Sequence, residues 1–81
     1  MERIDSIDYG QILKMTKEKG TLTYEFQRCT DKIMDNMVDV WRYDSKKKSK
    51  GKSTWVTVKD FPKYVDLLLS DGFTDVRWET K

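Results

Sequence analysis

Five lysines, Lys46, Lys47, Lys48, Lys50 and Lys52, fall in one short stretch, with Trp41 and Tyr43 before it and Trp55 after it. Ammonium groups hold phosphates, and indole and phenol rings stack on bases. Together they suit a grip on a single nucleic-acid strand without a fixed sequence. The formal net charge is only +2 and would be −3 without those five lysines, so positive potential is concentrated in one loop. Two plainer readings compete. A lysine-rich turn is often only a solvated loop, and outward aromatics on a small sheet can seal a dimer.

Catalytic chemistry finds little support. The chain has no histidine and so lacks the commonest general base. Asp31, Asp35, Asp39 and Asp44 form no spaced catalytic pair, and no glycine-rich phosphate loop occurs. Cys29 is the single cysteine, which excludes a disulfide within the chain and suits a reducing compartment. A lone thiol without histidine cannot supply the usual zinc ligand set. The expectation is a non-enzymatic protein without metal or cofactor. No apolar run approaches the ~20 residues of a membrane span, and residues 1–5 lack a signal peptide's apolar stretch. The expected location is cytoplasmic, associated with the nucleoid, or nuclear in a eukaryote.

These candidate residues need a scaffold. With 81 residues, 37% hydrophobic and 12% aromatic, the chain can close one small core. The segment Gln11 to Lys17 fits a short helix begun at Ser6. It also fits a strand that turns through Lys17-Glu18-Lys19-Gly20 into the next, and the glycine-ended turn favours this hairpin. Leu22, Tyr24 and Phe26 alternate with polar residues, as in a half-buried strand. Ile33, Met34, Met37, Val38 and Trp41 have helical spacing, but β-branched and aromatic content favours a strand from Met37, after a turn at Asp35-Asn36. Thr54 to Lys59 alternates again. Asp60 is a plausible N-cap with Pro62 in the first turn, and Phe61, Tyr64, Val65, Leu68 and Leu69 make one apolar helical face that Gly72 ends. Thr74 to Trp78 suits a short last strand.

The predicted fold class is α+β, in the order β-β-β-β-α-β: a curved antiparallel sheet of four to five strands with one main helix on one face. Residues 1–10 form an N-terminal segment, 11–72 the nucleic-acid-binding domain and 73–81 a short strand or tail. With Val38, Val40, Val56 and Val58 facing the helix, alternation turns Asp39, Trp41, Tyr43, Trp55 and Thr57 to the open face. Arg42, Lys17, Arg28 and Lys59 are candidates to extend the basic track.

From Gln11 to Leu69 the chain resembles the positive cofactor four family of transcriptional coactivators, above all its short bacterial relatives. Lys19-Gly20 leads into a strand holding Tyr24-Glu25-Phe26-Gln27. Val38-Asp39-Val40 followed by Tyr43-Asp44 is similar to the family's aromatic or aliphatic-Asp-Ile strand. Lys50-Gly51-Lys52 enters Trp55-Val56-Thr57-Val58, and a helix follows from Phe61. Trp41 stands where the family usually has arginine, and Tyr24 where it has a basic residue. The tail from Phe73 has no counterpart. The resemblance implies a homodimer of curved sheets with helices at the interface, single-stranded DNA lying across the sheets, and work in transcription, replication or repair.

The helix carries Leu67 besides its main stripe, so Phe61, Tyr64, Leu67 and Leu68 are the candidate dimer contacts. The leading expectation is binding of single-stranded DNA or RNA. The competing one is a small protein-interaction module, for example a phage or mobile-element protein that binds a host factor. In that reading Trp41, Tyr43, Trp55 and Trp78 are the anchors.

Overall fold

The computed structural model describes residues 4–17, 22–29, 36–45 and 53–80. Its elements are β1 (Gln11–Lys17), β2 (Leu22–Arg28), β3 (Met37–Asp44), β4 (Ser53–Thr57), α1 (Phe61–Ser70) and β5 (Asp75–Thr80). The strands form one curved antiparallel sheet in the order β4-β3-β2-β1-β5, so the protein is α+β. Gln11–Lys17 is a strand of a hairpin rather than a helix, with Lys17 opposite Leu22. A strand likewise begins at Met37. No helix among the described residues is long and apolar enough to cross a membrane.

Alternation makes one face of the sheet the core. Leu13, Met15, Phe26, Val38 and Val40 are fully or almost fully buried there. Register aligns them across strands: Leu13 pairs with Phe26, and Phe26 with Val40. On α1, Phe61, Val65 and Leu68 are buried against this layer, because residues three and four apart share one helical face. The Phe26 ring meets Phe61 edge-on at 5.4 Å and Tyr64 at 5.8 Å, and Tyr24 meets Phe73 at 5.1 Å. Such edge-to-face pairs add to plain area burial. Ile7 and Phe73 are buried in the same core, so the chain on both sides of 11–72 is packed into the domain.

The helix ends differ from each other. Asp60 occupies the N-cap position, but its side chain makes no capping bond. Its backbone is already helical, so the carboxylate cannot fold back onto the first-turn N–H groups as a cap from the β region does. Instead its N–H donates to the Thr57 carbonyl at 3.0 Å and to Thr57 Oγ1 at 3.1 Å. The strand β4 accordingly ends at Thr57, with one further cross-strand bond from the Val58 N–H to Asn36 O at 2.8 Å, and Val58 and Lys59 belong to the turn. At the C-terminus the Phe73 N–H donates to Leu68 O at 3.0 Å and the Gly72 N–H to Leu69 O at 3.2 Å. This pair of bonds needs a left-handed residue between helix and exit, and Gly72 supplies it at φ 101°. The same turn delivers Phe73 into the core and aims β5 along β1.

Candidate nucleic-acid interface

The open face follows from the register. Residues flanking the buried ones point away from α1, which places Asp39, Trp41 and Tyr43 of β3 with Trp55 and Thr57 of β4. Asp39 lies opposite Trp55, and Trp41 lies opposite Glu25. Trp55 is 58% exposed on an edge strand, whereas Trp41 and Tyr43 are half-buried. A large apolar ring left this open is a candidate contact surface. Strands β3 and β4 are joined through residues 46–52, so Lys46, Lys47, Lys48, Lys50 and Lys52 lie on the connection between the aromatic strands. These lysines lie outside the described residues.

The other half of the open face is polar. Lys14, Glu25, Tyr43, Asp75, Arg77 and Glu79, with Thr16 and Thr23, line a concavity of about 600 Å³. Lys14 Nζ sits 3.1 Å from Glu79, and Arg77 Nε sits 3.4 Å from Asp75. The Thr16 and Thr23 hydroxyls are 3.3 Å apart. Two cations, Lys14 and Arg77, therefore share the described open face with four carboxylates: Glu25, Asp39, Asp75 and Glu79. The face divides into an aromatic half over β3 and β4, which also carries Asp39, and a half of largely paired charges towards β5.

Tyr43 joins the halves. Its hydroxyl donates to Glu25 Oε2 at 2.6 Å. Burial first, then this hydrogen bond and the negative charge of Glu25, push the phenol from its ordinary 10.0 up to about 12. The folded protein then keeps a proton that the unfolded chain has lost. The stability this contributes is complete below pH 10.0 and disappears as pH rises towards about 12. Glu25→Gln removes the charge but not the burial. Tyrosinate absorbance should then show one late-titrating tyrosine moving part of the way back towards 10.0. An unchanged titration would mean that Glu25 has no hold on Tyr43.

The remaining candidate cations sit elsewhere. Lys17 extends from the helix-bearing face, where Nζ contacts Asp71 Oδ2 at 3.2 Å and lies 4.6 Å from the Phe73 ring centroid. Arg28 donates to the Ile7 carbonyl at 3.2 Å and stacks over Tyr9, tying the N-terminal segment to β2. Arg42 alternates with Trp41 and shares the helix side with Val40, while Lys59 is exposed in the turn before α1. These four are not brought together with the aromatics. Of the candidate dimer residues, Phe61 and Leu68 are buried in the domain's own core and Tyr64 packs against it; Leu67 is 70% exposed.

Lys14, Glu25, Asp75, Arg77 and Glu79 are not recognisable from sequence as one group. Their signal is the alternation Asp75-Arg77-Glu79, which becomes a surface only once β5 is known to pair with β1. Comparison with protein-family models, with curated proteins and with solved structures finds no match to this chain.

Proposed function

We propose that this protein binds single-stranded nucleic acid, without sequence preference, on the β3–β4 half of its open face. The reading rests on one observation: Trp41, Tyr43 and Trp55 share the open side of two adjacent strands, and the chain joining those strands carries the five lysines. Bases would stack on the rings while the lysines neutralise phosphates. The resemblance to positive cofactor four proteins supports the same ligand and suggests a homodimer. A helix-mediated contact would run through Leu67, since the other candidate helix residues are engaged within the domain.

The four carboxylates of the open face favour a second reading, a module that takes a cationic segment of another protein. Aromatic rings beside carboxylates hold lysine and arginine side chains through cation–π and ionic contacts.

Titrating fluorescent oligo-dT and a fluorescent oligolysine at several salt concentrations separates the two. The first reading expects oligo-dT binding that weakens steeply with salt. Neutralising Lys46, Lys47, Lys48, Lys50 and Lys52 should flatten that dependence by about 0.7 in log-log slope for each phosphate left without a cation. Binding of oligolysine with none of oligo-dT at low salt would replace the first reading with the second. Binding of oligo-dT with an unchanged slope in the fivefold variant would reduce the lysine stretch to a solvated turn.

A further inference from the structure

We propose that Asp39, set beside Trp55, makes the aromatic half of the open face a guanine-preferring site. The inference rests on the nucleic-acid reading and adds one preferred base, at one place, to a grip that otherwise ignores sequence. Among the described residues four carboxylates stand on the open face, and three have partners there. Glu25 accepts from Tyr43 at 2.6 Å, Glu79 meets Lys14 at 3.1 Å and Asp75 meets Arg77 at 3.4 Å. Asp39 is half-buried and has no hydrogen bond or ion pair among the described residues. Its oxygens are open to water, or to a ligand that donates.

Register decides which ring lies nearest. The Val58 N–H donates to Asn36 O, so the pairs of β3 and β4 that exchange hydrogen bonds are Val38 with Val56 and Val40 with Thr54. Asp39 and Trp55 form the pair between them, and in an antiparallel ladder such a pair brings its Cα atoms to about 4.5 Å and its side chains closest. On the other side of β3 the Cys29 N–H donates to Met37 O, so Asp39 and Gln27 are a wider pair, at about 5.5 Å. Trp41 follows two residues along β3, about 7 Å away. A base stacked on the exposed Trp55 ring therefore has a carboxylate at its edge. In a single strand the Watson–Crick edge is free to meet it. Guanine alone among the common bases turns two adjacent N–H donors to that edge, from N1 and from the exocyclic amine, and they match the two carboxylate oxygens. Adenine and cytosine set a ring-nitrogen acceptor beside their amine. Thymine and uracil have a single N–H between two carbonyl oxygens, which the carboxylate repels. Covering Asp39 without supplying donors also leaves a desolvated charge unpaired, so the other bases are penalised while guanine is favoured.

The test measures the affinity of the whole protein for fluorescent oligo-dT of about six nucleotides, within the range of sites on small β modules. The central base is thymine, guanine, or guanine methylated at N1. Guanine should tighten binding about tenfold over thymine, within the discrimination of one bidentate pair. Methylation at N1 keeps the stacking surface but removes one donor, and should abolish the gain. Asp39→Asn keeps side-chain shape and replaces one acceptor by a donor. It should melt like the unmodified protein and bind the thymine and guanine strands alike. The methylated strand is read on the unmodified protein, so that arm does not depend on how the variant folds. Equal affinity of the unmodified protein for thymine and guanine would overturn the inference and leave the nucleic-acid reading intact. A gain that survives methylation or Asp39→Asn would do the same, because stacking alone would then explain it. Failure of the unmodified protein to bind any of the three strands would remove both, and oligolysine binding lost in Asp39→Asn would then give the carboxylate to a cationic side chain of a protein partner.

Discussion

Phe26→Ala should destabilise the domain by about 3–5 kcal/mol, the usual cost of truncating a buried phenylalanine to alanine. Phe26 has no exposed surface, sits on the central strand β2, and touches rings from α1 and from its own strand. The cavity would open between sheet and helix, where Phe61 and Tyr64 now set their edges against the Phe26 ring. Stability of roughly 0.05–0.15 kcal/mol per residue leaves a domain of this length little to spare. A midpoint drop of about 4–8 °C per kcal/mol should be plain in a thermal melt. Phe26→Leu keeps most of the volume and should lose much less. If Phe26→Ala melted within a few degrees of the unmodified protein, the helix would not be packed on this face, and the open-face assignment would be inverted with it.

Trp55→Ala should do the reverse. It should cost about 1–3 kcal/mol of single-strand binding, the range for one base-stacking ring, and little stability. At 58% exposure the indole contributes little to the core, and exposed substitutions usually stay within about 0.5 kcal/mol. Single-stranded DNA should also quench tryptophan fluorescence, with a smaller response in Trp55→Ala. Melting and oligo-dT affinity measured on the same variant separate the possibilities. Unchanged affinity in a stable variant would remove stacking at Trp55 from the mechanism. A large loss of melting temperature would make Trp55 a structural residue.

Both substitutions depend on one regularity that is legible in the amino-acid order alone. Alternation along Leu22 to Phe26, along Val38 to Tyr43 and along Trp55 to Thr57 assigns every side chain to a face, because a strand repeats every two residues. The helix is equally plain, since Phe61, Tyr64, Val65, Leu68 and Leu69 repeat at helical spacing and Pro62 and Gly72 mark its ends. Lys17 and Arg28 are harder to place. Each lies at the end of its strand, and what holds it, Asp71 and Phe73 for one and Ile7 and Tyr9 for the other, is far away in sequence. Long-range packing also decides the role of the segment after Gly72. Nothing in Asp75 to Thr80 names β1 as its partner, so the charged half of the open face cannot be assembled from strand patterns alone.

The order of strands also leaves the sheet with two unlike borders. At one, β5 carries Asp75, Arg77 and Glu79 among six residues, and rows of charge discourage the addition of a further strand. At the other, β4 reads Ser-Thr-Trp-Val-Thr, with no charge in five residues. Among the described residues its outward N–H and C=O groups have no such guard, and its β-branched and aromatic side chains favour pairing. Growth of the sheet by one more strand, whether from a copy of this protein or from an extended peptide, is thus favoured on a single side, where the newcomer would lie beside Trp55.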